Sequence, residues 1–211
     1  MTRRVLIVDD HEVLRDGVRK LLDEQPGAIS CGEAGTPDEA LRMASTQAWD
    51  AVVLDLSLAG RSGLDVLKQL KMIRPRLPIL VLTIHSEEQY ARRAFKAGAA
   101  GFITKDSPRA ELSKAILKVL DGGKYLSPAL AEKLIVDLER GVDRPPDETL
   151  SDREFQVMRL IASGKTLSEI AILLSLSDKT ISTYRARLME KMGMRTNAEL
   201  THYAIQNRLV D

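Results

Sequence analysis

The sequence predicts an α/β protein: a doubly wound, five-stranded parallel sheet followed by a smaller all-α domain. Three observations carry this. Val5-Leu-Ile-Val8, Ala51-Val-Val-Leu54 and Ile79-Leu-Val-Leu82 are continuously apolar, as strands are when both faces of a parallel sheet are covered by helices. Strand-like and amphipathic helical stretches alternate five times up to Leu120, which gives a doubly wound sheet with right-handed crossovers. From Leu150 onward the pattern is helical only. At 211 residues two domains are the natural division.

Taken in order, the first strand precedes a helix over Glu12 to Glu24, with Val13, Leu14, Val18, Leu21 and Leu22 at helical spacing and Pro26-Gly27 at its end. A weaker strand runs to Ala34. Thr36-Pro-Asp-Glu39 then supplies an N-cap, a proline at the first helical position and a capping-box glutamate. Trp49 reads as core or a lid, and the Ala51 strand follows it. Gly63 to Ile73 is the third helix, Ser86-Glu-Glu-Gln-Tyr starts the fourth with acids in its first turn, and Ser107-Pro108 caps and opens the fifth. Ser127-Pro128 begins a linker helix carrying Leu130, Leu134, Ile135 and Leu138. Gly141 to Glu148, with two prolines, has the composition of an exposed tether. The expected domains are residues 1–121, a linker over 122–149, and residues 150–211.

The strand ends carry the chemistry. The first strand runs into Asp9 and Asp10, the third into Asp55, the fourth into Thr83 and the fifth, Gly101-Phe-Ile-Thr104, into Lys105. Parallel strands bring such residues to one crevice at the carboxyl edge of the sheet. Three clustered carboxylates call for a cation, and magnesium suits a partial shell of few carboxylates, waters and phosphate oxygens. Asp55 is then the nucleophile that forms an aspartyl phosphate, with Lys105 and Thr83 holding the phosphoryl oxygens. The alternative is a set of ordinary strand-end ion pairs.

Val8-Asp-Asp, Leu54-Asp-Leu, Leu82-Thr and Thr104-Lys-Asp, in that order, resemble the receiver domain of two-component response regulators over about the first 120 residues. The resemblance implies a flavodoxin-like fold and a sensor histidine kinase as phosphoryl donor. It also implies a magnesium ligand from the backbone carbonyl of Ser57, and a switch aromatic, Phe102, that turns inward on phosphorylation. Ala59 departs from the family's proline four residues after the acceptor, which implies a less rigid loop.

The C-terminal part reads as helices. Leu150-Ser-Asp-Arg-Glu154 forms a capping box, Gly164 ends that helix, Thr166 to Leu174 is short and apolar on one side, and Ser175-Leu-Ser177 is a turn. Asp178 to Met192 follows, with Ile181, Leu188 and Met192 inward and Lys179, Ser182, Thr183, Arg185 and Lys191 outward. Two helices joined by a tight turn, the second basic, fit a helix-turn-helix; a helical oligomerisation bundle is the alternative. Leu150-Ser, Arg153-Glu, Glu169-Ile-Ala, Lys179-Thr-Ile and Thr196-Asn-Ala resemble the LuxR-type DNA-binding domain, so the whole chain is similar to a NarL/FixJ-type response regulator. That resemblance implies base-edge contacts from Ser182, Thr183 and Ala186. It implies phosphate contacts mainly from Lys179, Thr180, Tyr184, Arg185, Arg187 and Lys191, and an active homodimer on double-stranded DNA. Tyr184 stands where many members have histidine.

Composition narrows the remainder. Lys plus Arg (31) nearly balances Asp plus Glu (30), so overall charge names no partner. Between Lys179 and Arg195, however, five basic residues face only Glu190. Cys31, the sole cysteine, excludes an internal disulfide and a cysteine zinc cluster and reads as an inert, buried thiol. No apolar run is long enough to cross a bilayer and Met1-Thr-Arg-Arg leads straight into the first strand, so a cytoplasmic location without membrane association is expected. His11, His85 and His202 lack partners at metal-ligand spacing and receive no catalytic role; His11 and His85 flank the acidic pocket. A dinucleotide site is excluded because Asp-Asp-His-Glu, not a glycine-rich turn, follows the first strand. A hydrolase with an aspartyl nucleophile would carry a second Asp where Ser57 stands, so the chain is expected to be no enzyme beyond slow autophosphatase activity. A phosphate-independent DNA binder would not need the acidic pocket.

Overall fold

The structure is a computed structural model that describes residues 2–25, 27–58, 61–84, 87–128, 130–132, 146–207 and 209–210. The chain divides into two compact units, Met1–Val136 and Asp137–Asp211. Pro26, Ala59, His85, Ser86, Leu134, Ile135, Leu138 and residues 141–145 of the expected tether lie outside the described residues.

In the first unit, strands β1 (Arg3–Val8), β2 (Ile29–Ala34), β3 (Ala51–Leu54), β4 (Ile79–Thr83) and β5 (Gly101–Thr104) form one sheet in the order β2-β1-β3-β4-β5. Every pairing is parallel. Helices α1 (Glu12–Asp23), α2 (Pro37–Thr46), α3 (Gly63–Ile73) and α4 (Glu87–Lys96) are the crossovers, and α5 (Arg109–Leu120) follows the last strand. The continuous apolar runs are what the fold uses: all four residues of β3 and all five of β4 are buried. Burying each such side chain contributes roughly 1.5–3 kcal/mol, enough for the strands to carry buried carboxylates at their ends at a cost of several kcal/mol per ion. Val5, Ile7, Val53, Leu80, Leu82 and Ile103 pack on one face against Val18 and Leu22 of α1 and Ile116 and Val119 of α5. Beyond α5 the chain returns to the sheet edge, where Tyr125 bridges Gly101.

Local structure departs from expectation at several points: Val13, expected on the apolar face of α1, is 87% exposed, and Cys31, expected to be buried, is half-buried. Thr36 caps α2, but the Glu39 carboxylate accepts the N–H of Gly35 rather than that of Thr36. Ser107 does not cap α5; Pro108 holds the N-cap position without a side-chain bond, and the Ser107 hydroxyl pairs with that of Thr104 at 3.1 Å. The end of the expected tether is folded: Pro146–Thr149 is a 3-10 turn in which Asp147 is 0% exposed and accepts the Tyr203 hydroxyl at 2.6 Å. A carboxylate that finds a donor 56 residues away is buried for a reason composition does not carry. Trp49 is a lid: its indole N–H donates to the Met43 carbonyl, and its ring fills the space a Cβ at Gly32 would need.

The second unit contains α6 (Asp152–Ala162), α7 (Leu167–Leu174), α8 (Asp178–Met192) and α9 (Asn197–Gln206). Reciprocal capping boxes start α6 (Ser151, Glu154), α7 (Thr166, Glu169) and α9 (Thr196, Glu199). The α7–α8 turn places Ser175 at φ 53°. Ile181, Leu188 and Met192 of α8 are buried, as their spacing predicts. Among the described residues, no helix is long and apolar enough to cross a membrane.

Candidate functional site

The strand ends meet. β1 pairs with β3 up to Val8 and Leu54, and the Asp55 N–H continues the ladder to the Val8 carbonyl at 2.9 Å. Asp9 and Asp55 are therefore side by side, each 1% exposed. Lys105, brought alongside by the bond from its N–H to the Thr83 carbonyl, places Nζ 2.8 Å from Asp55 Oδ2 and 2.7 Å from Asp9 Oδ2. The first contact is a well-formed hydrogen bond. The second is a short ion pair without hydrogen-bond alignment, so Asp9 Oδ2 is buried and makes no aligned hydrogen bond. The second Asp55 oxygen, Oδ1, accepts the Ser57 N–H at 3.1 Å.

Burial pushes the Asp55 pKa up, as does the neighbouring Asp9, against the lowering effect of Lys105 and the Ser57 N–H. Burial disfavours the Lys105 ammonium too, but the two carboxylates outweigh it and the lysine pKa is raised. The pocket thus holds an Asp55 carboxylate whose charge burial disfavours beside a lysine whose charge the carboxylates stabilise, an excess of acid that a further cation relieves.

Ligand atoms of Asp9, Asp10, His11 and Asp55 all lie within 4.8 Å of one another. Three carboxyl groups and a buried Asp9 oxygen lacking an aligned donor fit a divalent, oxygen-seeking cation. His11, expected to flank this pocket but given no ligand role, stands among its ligand atoms. Its Nδ1 is 2.8 Å from Asp10 Oδ1 and 3.1 Å from Asp9 Oδ1, and its N–H bonds Asp9 Oδ1 at 2.8 Å. Ligand-spacing rules missed it because its partners are adjacent in sequence, in a tight turn. A cavity of about 640 Å³ opens beside the cluster, with His11, Asp55, Ser57, Thr104 and Lys105 on its polar side.

Thr83 is fully buried at the end of β4. Phe102 is also fully buried, so the structure holds this aromatic already inside, and an inward turn from an exposed position is not the change available to it. Gly63, quoted in the sequence only as a helix start, has a stricter role. Its N–H bonds the Leu56 carbonyl at 3.1 Å, and a Cβ there would lie 2.3 Å from Leu56 Cα and 2.6 Å from the Asp55 carbonyl oxygen. Glycine is what lets α3 start against the acceptor's own backbone.

In the second unit, Lys179, Ser182, Thr183, Ala186, Arg187 and Lys191 are exposed, and Thr180, Tyr184 and Arg185 half-buried. Lys179, Thr180, Thr183, Tyr184 and Arg187 line a depression of about 270 Å³. Two of the expected phosphate contacts have protein partners: Arg185 Nε donates to Asn197 Oδ1 at 2.8 Å, and Lys191 Nζ to Glu154 Oε2 at 2.6 Å. The Ser168 hydroxyl, on α7, donates to Asp178 Oδ2 at 2.6 Å and fixes the start of α8.

Residues 5–117 match the family described as response regulator receiver domain. Residues 148–204 match the bacterial regulatory proteins, luxR family. The chain is similar to response regulator UvrY of Escherichia coli (strain K12), 34% identical over 206 residues, covering 97% of this chain and 94% of UvrY. It is likewise similar to response regulator GacA of Pseudomonas viridiflava, 34% identical over 209 residues, covering 99% and 98%. Among solved structures, the RcsB response regulator of Salmonella typhimurium superposes with a TM-score of 0.68 at 26% identity, covering 96% of this chain and 97% of that one. The chain belongs to the two-component response regulators of the NarL/FixJ type, DNA-binding transcription regulators in which a receiver domain precedes a LuxR-type helix-turn-helix domain.

Proposed function

We propose that Asp55 accepts a phosphoryl group from a sensor histidine kinase or a small acyl phosphate, and that the phosphorylated chain binds promoter DNA as a dimer. The observation that carries this is the Lys105 ammonium set between Asp9 and Asp55, with Lys105 and Asp55 lining a cavity. A nucleophile must be reachable and its product's charge must be met, and this arrangement supplies both. An Asp55 oxygen forms the new bond to phosphorus while the donor's bond to phosphorus breaks and its electron pair leaves with the donor. Lys105 then moves from carboxylate to phosphoryl oxygen, and the Thr83 hydroxyl supplies a further donor.

Asp9, Asp10, Asp55 and the Ser57 carbonyl are the residues that would hold magnesium, which when bound neutralises charge on the transferred group. Ser57 brings no carboxylate to orient water, so hydrolysis of the acyl phosphate is slow and the chain acts as a switch, not a turnover enzyme. Repacking of the surface made by α4, β5 and α5 carries the change outward.

For DNA, the exposed face of α8 enters the major groove. Ser182, Thr183 and Ala186 face base edges, and Lys179, Thr180, Tyr184, Arg185 and Arg187 face phosphates. The relative RcsB is described by its conformational dynamism for DNA interaction, and also as two dimers bound to two parallel DNAs. The test is intact mass after incubation with magnesium and a small acyl phosphate, followed by titration of labelled promoter DNA. The expected result is one phosphoryl group on the chain, none on Asp55→Asn, and tighter DNA binding only where it is added. Labelling that persists in Asp55→Asn removes the assignment.

A further inference from the structure

Arg15 lies one turn into α1, with its side chain only 16% exposed. Its guanidinium has two partners. Nη1 donates to the main-chain carbonyl of Asp9 at 2.8 Å, and Nε donates to Glu33 Oε2, at the end of β2, at 3.1 Å. Arg19 also reaches this carboxylate, at 3.4 Å.

The Asp9 carbonyl lies just past the sheet. The β1 ladders end at Val8, opposite Ala34 on one side and Leu54 on the other, and the Asp9 N–H makes the last bond, to the Ala34 carbonyl. The peptide plane whose oxygen Arg15 grips is the one joining Asp9 to Asp10. Its rotation sets where the Asp10 side chain points, because Asp9 itself is fixed from the other side by Lys105. A rigid fork held by Glu33 is suited to fixing such a plane.

We infer that Arg15 is a positioning residue for the cation site, holding the 9–10 peptide so that two successive carboxylates converge on one ion. Glu33 orients the arginine. The inference rests on the proposed reading of Asp9 and Asp10 as magnesium ligands. It has a consequence opposite to that of simple charge. An arginine acting only through its positive charge repels a divalent cation, so its removal would tighten binding. An arginine that positions the ligands weakens binding when removed, as loss of outer partners of metal ligands does.

The experiment is calorimetric titration of the full chain with magnesium chloride, for the natural sequence, Arg15→Ala, Arg15→Lys and Glu33→Gln. Thermal unfolding without magnesium and phosphoryl uptake at saturating magnesium are measured alongside. The expected magnesium dissociation constant rises about tenfold in both Arg15 variants, and less in Glu33→Gln, which keeps an acceptor for Nε. Saturating magnesium restores most of the phosphoryl uptake. Arg15→Lys retains the charge and the aliphatic stem, so it reports even if Arg15→Ala fails to fold. Unchanged or tighter binding in Arg15→Lys, or a lowered unfolding temperature with an unchanged magnesium constant, overturns the inference and leaves a structural ion pair. No magnesium binding by the natural sequence instead overturns the reading of the pocket beneath it.

Discussion

Lys191 Nζ stands 2.6 Å from Glu154 Oε2, and the same oxygen accepts the N–H of Ser151 at 2.7 Å. The carboxylate that closes the capping box of α6 thereby also ties down the last turn of α8. A lysine used in this way is not available to a phosphate without giving up a nearly buried partner. Lys191→Ala should lower the stability of the helical unit by about 1–2 kcal/mol. It should leave the slope of log affinity against log salt unchanged, whereas Lys179→Ala should flatten that slope by about 0.9. Gel-shift titrations over a salt series separate the two; equal flattening by both would return Lys191 to the DNA face.

The same pair sets a pH dependence. Burial works against the Glu154 carboxylate, but the hydrogen bonds from Lys191 and Ser151 outweigh it and hold its pKa below the ordinary 4.5. A depressed carboxyl pKa contributes stability above the unfolded value and loses it as pH falls through the folded value. The stability difference between the natural sequence and Glu154→Gln should therefore be constant near neutrality and shrink below about pH 4.5. Thermal unfolding across that range is the measurement. A difference that grows on acidification would contradict the assignment.

Lys105 competes with any cation for Asp9 and Asp55. Lys105→Met should cost about 3 kcal/mol of stability without magnesium, because two buried carboxylates lose their counter-charge. It should also bind magnesium more tightly than the natural sequence while taking up phosphoryl groups more slowly. Weaker magnesium binding by this variant would mean that the lysine helps to build the site instead of competing for it.

Gly63→Ala puts a methyl into the backbone of Asp55 and Leu56. Overpacking of this kind costs about 1–3 kcal/mol. Because the displaced atoms belong to the acceptor's own peptide, phosphoryl uptake should fall as well. Uptake at the natural rate in a destabilised variant would show that α3 can retreat without moving Asp55.

Phe102, fully buried in β5, should behave as core. Phe102→Ala is expected to cost about 3–5 kcal/mol by denaturant unfolding. A loss under about 1 kcal/mol would indicate a side chain that spends its resting time at the surface.

The sequence by itself determined the sheet, the helices and the strand ends. Continuous apolar runs from Val5 to Val8, Ala51 to Leu54 and Ile79 to Leu82 are local signals, and a parallel sheet delivers whatever follows each run to one edge. Asp9, Asp55 and Lys105 meet for that reason. The capping box at Ser151 was legible for the same reason, since both partners lie within one turn. Only the tertiary structure decided which charges are paired. Arg15 reaches Glu33 across 18 residues, Lys191 reaches Glu154 across 37, and Tyr203 reaches Asp147 across 56. A long polar side chain can bond any partner that packing brings within about 3 Å, and it carries no periodicity to announce which. Periodic burial is written locally along the chain, whereas the choice of ionic partner is made when the helices and strands have already been brought together.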